Sequence, residues 1–212
     1  MHSKKLINNK GGCMKQLKLI SFLFLFSLAI FASDAKVGEA APDFTLKDSK
    51  GNQHSLSDLK GKYVVLEWIN YDCPFVQKHY NSGNMQKLQK EYTEKGVVWF
   101  AVCSSVPGKQ GNYSNEEINK LSEKHGANFT AYLIDDTGEV GKSYGAKTTP
   151  HMYVINPEGT LIYAGGIDDT PSTDIDDIKT ATNYVTAALD AAMNGKDVEV
   201  KISKPYGCSV KY

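Results

Sequence analysis

A chain of 212 residues with 41% hydrophobic and 10% aromatic content has room for one ordinary domain with a real core. Its 24 basic and 24 acidic residues cancel, so the charge balance points to neither a nucleic-acid nor an anionic-membrane partner. Every basic residue is Lys; the sequence contains no Arg.

Lys4, Lys5, Lys10, Lys15 and Lys18 precede an apolar run over 19–32. Ser33-Asp34-Ala35 follows, with small residues at the two positions a signal peptidase reads. The run is shorter than the ~20 apolar residues of a comfortable membrane span. Residues 1–35 are therefore expected to be a cleavable bacterial-type signal peptide, the alternative being an uncleaved anchor. The protein is expected to be exported, to a periplasm. Met14 reads as the true start, because Lys10-Gly11-Gly12 is what a purine-rich ribosome-binding site becomes when translated. Removing 1–35 takes away five Lys and Asp34, leaving 19 Lys against 23 acids and a net charge of −4. Three cysteines remain: Cys73, Cys103 and Cys208. In an oxidising compartment a disulfide can persist, and an odd count leaves one thiol free or in use.

A short hairpin is expected over 44–59. Apolar runs at 63–69, 97–103, 152–155 and 161–164, with a shorter one at 132–134, read as strands buried on both faces. Helical patterns lie between them. The first spans 74–95, with Met85, Leu88 and Tyr92 on one face and a weak point at Asn81-Ser82-Gly83. Ser114-x-x-Glu117 is a capping box, and Gly126 stops that helix. Thr173-x-x-Asp176 is expected to open the last helix, with Ile178, Ala181, Val185, Leu189 and Ala192 as its apolar stripe and Asn194-Gly195 as its end. This alternation predicts an α/β layered domain over 36–195. Residues 196–212 form a tail outside the last helix.

Cys73 follows a buried strand and a short turn, and Pro74 follows Cys73. Pro favours the first helical turn, so Cys73 is expected at the N-cap, where unpaired N–H groups and the helix dipole favour a thiolate. A free thiol has a pKa near ~8.5, and such a position lowers it; the neighbouring Asp72 opposes that shift. Glu67 lies within an apolar strand, as either a buried acid–base group or a solvated edge carboxylate. Cys103 ends an apolar strand and reads as a core residue. His79 and His151, with Cys73, could make a soft metal site, against the plainer reading of two ordinary histidines. The acids Asp168, Asp169, Asp174, Asp176 and Asp177 lack calcium-loop spacing. No cofactor or metal is expected.

Ala41-Pro42-Asp43-Phe44, Leu59-Lys60-Gly61-Lys62 and the strand at 64–69 resemble the redoxin family, the thioredoxin-fold branch that holds alkyl hydroperoxide reductases and thiol-specific antioxidants. Cys73-Pro74-Phe75-Val76 falls where that branch keeps its reactive cysteine, and Thr149-Pro150 resembles its cis-proline loop. The likeness runs over about 37–195, and the stretches 70–76 and 206–212 resemble exported thioredoxin-like members. The resemblance implies a thioredoxin fold: a central mixed sheet flanked by helices, here with an N-terminal hairpin extension. It implies Cys73 as the catalytic thiolate and Glu67 as a proton relay. Pro150, Thr149 and Pro74 would shape a groove where a substrate pairs in extended form. Cys208 is the candidate resolving cysteine, since loop length adds slowly to closure cost; a static disulfide or a mixed disulfide with a partner are the alternatives.

The sequence also departs from the family pattern. Val76 stands where thioredoxins carry the second cysteine, so a local dithiol is impossible. Asn70 and Leu66 replace the Thr or Ser and the Pro of peroxiredoxins, and Lys lacks the planar fork of the missing Arg. The expected function is thiol–disulfide exchange through Cys73 on protein thiols or disulfides, with a reducing partner protein. The alternatives are a thiol peroxidase acting on small hydroperoxides and a non-enzymatic copper- or partner-binding module. No nucleic acid and, once the signal is cut, no stable membrane span are expected.

Overall fold

β-branched and aromatic residues dominate the apolar runs, and they pair as strands because such side chains fit a pleated, packed surface. A computed structural model describes residues 1–2 and 34–212. The signal peptide read over 1–35, with its start at Met14, lies almost wholly outside the described residues. Among those described, no helix is long and apolar enough to cross a membrane.

The hairpin consists of β1 (Thr45–Asp48) and β2 (Gln53–Ser55). Strand β3 (Val64–Trp68) leads into α1 (Pro74–Asn81) and α2 (Asn84–Glu94). Then come β4 (Val98–Cys103), α3 (Asn115–Lys124), β5 (Ala131–Ile134) and α4 (Glu139–Ser143). The two-residue β6 (Thr148–Thr149) precedes β7 (His151–Ile155) and β8 (Leu161–Gly165). Helix α5 (Tyr184–Met193) and a second two-residue strand, β9 (Cys208–Ser209), complete the order.

Seven strands form one sheet in the order β2-β1-β5-β4-β3-β7-β8. Strands β3, β4 and β5 run parallel, and the other pairs are antiparallel. The sheet is mixed and buried on both faces. Val65 and Ile69 of the central strand region pack with α1, α2, α3 and α5 through Val76, Met85, Leu88, Ile118 and Leu189. The alternate residues Val64, Leu66 and Trp68 pack with Phe44, Leu56 and Tyr144 on the other side. A one-residue slip of β3 would exchange these faces, so the apolar pattern fixes the register.

The helix expected over 74–95 divides at Ser82-Gly83, the weak point, where Gly83 takes φ 75°. The last helix begins later than Thr173. Asp176–Lys179 form only a 3-10 turn, and Asp169 accepts the Thr182 N–H at 3.0 Å, which keeps the loop folded on itself. Helix α5 starts at Tyr184 because the Asn183 side chain accepts the Thr186 N–H at 2.9 Å.

The final segment does not project as a free tail. Val198 is buried, and Ser203 Oγ accepts the Gly166 N–H at 2.9 Å. Val210 N–H donates to Lys147 O at 3.1 Å, and Tyr212 OH donates to Ala146 O at 2.8 Å. The segment is a strap laid across the domain and tied by backbone and side chain. Its anchors are long-range partners, which leave no periodic signal in the strap's own sequence.

Candidate active site

The turn after β3 closes when Cys73 N–H donates to Asn70 O at 3.0 Å. Cys73 then takes extended angles, φ −78° and ψ 122°, as the N-cap of α1, with Pro74 in the first turn. Its carbonyl accepts the Gln77 N–H at 2.9 Å. The thiol is fully buried. Its S–H donates to the Thr149 carbonyl at 3.0 Å, and the backbone N–H of Cys208 points at Sγ from 3.4 Å.

Two elements bring those groups to the sulfur. The Thr149–Pro150 peptide is cis, as the resemblance implied. Strand β6 pairs antiparallel with β9, setting Thr148 opposite Ser209 and Thr149 opposite Cys208. Gly207 permits this approach: at φ 138°, an added Cβ would stand 2.0 Å from Thr149 O.

Burial opposes a charge on Cys73, but hydrogen bonds from the side chains of Cys208 and Thr149, then from the Val76 and Cys208 N–H groups, outweigh it. The thiol is held below the ordinary range. Burial and the adjacent Cys73 push Cys208 up to about 11. The pair is therefore asymmetric: the surroundings favour the thiolate at Cys73 over that at Cys208. Thr149 Oγ1 is buried and otherwise unpartnered, which leaves its hydroxyl to serve the Cys73 sulfur.

Glu67 is fully buried on the face of the sheet that carries α1. Trp99 Nε1 at 2.8 Å, Gln89 Nε2 at 3.0 Å and Tyr80 OH at 3.0 Å all donate to its carboxylate. Burial raises its pKa to about 7 against these three stabilising bonds. No direct hydrogen bond joins it to Cys73. The edge-carboxylate reading does not apply.

The two histidines lie elsewhere. His151 bonds Tyr153 OH at 3.0 Å and packs on that ring. His79 Nε2 lies 3.3 Å from Tyr206 OH, and Asn84 holds its Nδ1 at 2.9 Å. Among the described residues no group of three or more His, Cys, Asp or Glu is placed to hold a metal ion. Cys103 is buried, with its S–H donating to Gly111 O at 3.4 Å. Sequence reasoning missed Tyr80, Gln89 and Trp99 around Glu67. It also missed the cluster of Lys78, His79, Asp168 and Tyr206 beside the strap, whose parts are distant in the chain.

The geometry defines a thioredoxin-fold protein with a buried thiol at a helix N-cap facing a cis-proline loop. The family model described as the AhpC/TSA family matches residues 37–164, more than half of the chain, and the chain belongs to that family. The thiol-disulfide oxidoreductase ResA of Halalkalibacterium halodurans is 28% identical over 152 residues, 71% of this chain and 81% of that protein. A crystal structure of an uncharacterized conserved protein from Geobacillus kaustophilus is 32% identical, with a TM-score of 0.69 over 84% of this chain and 92% of that one. The thioredoxin domain of a thiol-disulfide oxidoreductase from Bacteroides vulgatus shares the fold, at 24% identity and a TM-score of 0.50, covering 69% of this chain and 98% of that one. The chain is thus a thiol–disulfide oxidoreductase of the AhpC/TSA family.

Proposed function

We propose that the protein exchanges disulfides with other proteins through Cys73, with Cys208 as the resolving thiol. The observation that carries this reading is the seating of Cys208 opposite Thr149, with its N–H 3.4 Å from Cys73 Sγ. The Cys73 thiolate attacks a substrate disulfide, forming a mixed disulfide and releasing one substrate thiolate. Cys208 then attacks Cys73 Sγ, forming the Cys73–Cys208 bond and releasing the second substrate sulfur. The proton lost by Cys208 passes to the departing thiolate. The substrate gains two electrons and the protein loses them; a partner dithiol returns the pair to the reduced state by the same exchange. Pro74, Thr149 and Pro150 frame the approach, and Glu67, ionising near neutrality, is the acid–base group in the layer behind them.

The apolar run at 19–32 and the Ser33-Asp34-Ala35 site support export through a cleaved leader to a periplasm, where such exchange has oxidised substrates. The test is peptide mapping of oxidised, signal-free protein, where a Cys73–Cys208 link is expected. A map that shows Cys73 linked only to Cys103 or to another chain, under every oxidant tried, removes the reading. Consumption of hydrogen peroxide no faster than by free cysteine is expected as well. A rate far above that, lost in Cys73→Ser, would make the protein a peroxidase built without the usual Thr and Arg.

A further inference from the structure

The groove that the cis-proline loop offers is already filled. Thr148 and Thr149 present a strand edge, and the chain's own Cys208 and Ser209 take it. With the strap seated Cys73 has no exposed surface, so no second molecule reaches the sulfur. A bound strand this short makes few backbone bonds, and it is held instead by side chains. Tyr206 OH donates to the buried Asp168 carboxylate, and its ring meets Phe75 edge-on at 5.8 Å. Lys78 Nζ, also buried, lies 3.9 Å from Asp168 and donates to Thr170 O at 3.1 Å. A cleft of about 450 Å³ runs along the strap's flank between Thr148, Asp168, Tyr184, Lys204 and Gly207.

We propose that the strap is a built-in, displaceable occupant of the Thr148–Thr149 edge, the groove where the resemblance seats an extended substrate, and that Cys73 reacts only once the strap has left. The proposal rests on the exchange reading above and adds the sequence a substrate must carry beside its cysteine. The strap itself defines what fits. The residue before the cysteine must be Gly or close to it, since a Cβ there meets Thr149 O at 2.0 Å. The residue before that is aromatic, filling the place of Tyr206 between Phe75 and Asp168. Edge pairing supplies affinity and these positions supply selectivity.

Substrate and Cys208 therefore exclude one another at the same edge. The strap must leave before the mixed disulfide forms. Its return brings Cys208 to Cys73 Sγ and evicts the substrate in the same movement, so resolution and product release are one event.

The test uses the full chain, reduced, and reads alkylation of Cys73 by iodoacetamide. Gly207→Ala forces the strap off Thr149 and is expected to speed alkylation by roughly tenfold or more, as loss of a closed state would. Tyr206→Phe removes only the latch hydroxyl and should speed it several-fold; it carries the comparison if Gly207→Ala does not fold. A synthetic peptide spanning 204–212, with serine in place of its cysteine, should protect Cys73 in the opened variant, whereas a scrambled peptide should not. Unchanged alkylation in a folded variant overturns the strap as occupant. Faster alkylation without peptide protection overturns the docking site. Faster alkylation with no reaction toward a peptide disulfide refutes the exchange reading and, with it, the substrate named here.

Discussion

Glu67 sits wholly out of water while three donors converge on its carboxylate. Folding raises its pKa from 4.5 to about 7, so the native state holds the proton more tightly than the unfolded chain does. Its contribution to stability is full below pH 4.5 and is lost as pH rises toward 7. At about 1.4 kcal/mol per unit, the loss is on the order of 3 kcal/mol. Urea midpoints measured between pH 4 and 8 should show that decline, and Glu67→Gln should flatten it. Trp99 donates to the same carboxylate, so its fluorescence should titrate with a midpoint near 7 and cease to do so in Glu67→Gln. An unaltered Trp99 titration in that variant would remove Glu67 as its source. Should Glu67 also relay protons, Glu67→Gln slows disulfide exchange at fixed pH without unfolding the protein; an unchanged rate excludes the relay.

Local signals explain which elements were legible. Ser114 accepts the Glu117 N–H and Glu117 returns a bond to the Ser114 N–H, the reciprocal cap read from four residues. Ser114→Ala should cost about 1 kcal/mol in urea denaturation and leave Cys73 alkylation unchanged. Cys73 at its N-cap was legible for the same reason: a buried strand, a turn and a Pro follow one another directly. Thr173 misled because its cap pattern has no helix behind it; the loop's acids bond each other's neighbours instead, and Asn183 does the capping. Strands β6 and β9 carry two residues each, too few for any alternation to register. Helix α4 was missed because five residues hold little more than one turn, and it is nucleated by Asp135, whose carboxylate accepts the Gly141 N–H at 2.8 Å.

At the scale of the whole molecule, the layered α/β order was legible because five apolar runs alternate with amphipathic stretches, and each run became a sheet strand. The pairing of the last residues with Thr148 and Thr149 was not, since it joins segments some sixty residues apart through geometry alone. That pairing predicts a difference between redox states. A Cys73–Cys208 bond would close a loop of about 135 residues, and the chain-entropy relation assigns such a closure about 5 kcal/mol. The oxidised protein should therefore unfold at distinctly higher urea than the reduced one, with Cys208→Ser abolishing the gap. Equal midpoints for the two redox states would remove that stabilisation.

The strap that brings Cys208 to Cys73 also couples two equilibria that are usually measured apart. Oxidation and folding become two sides of one thermodynamic square, so whatever the bond adds to native stability the fold returns as reluctance of the bond to be reduced. With the proposed Cys73–Cys208 bond formed, a disulfide reductant would act on the oxidised protein as a mild denaturant, and a denaturant would make that bond easier to reduce. Either can be used to measure the other.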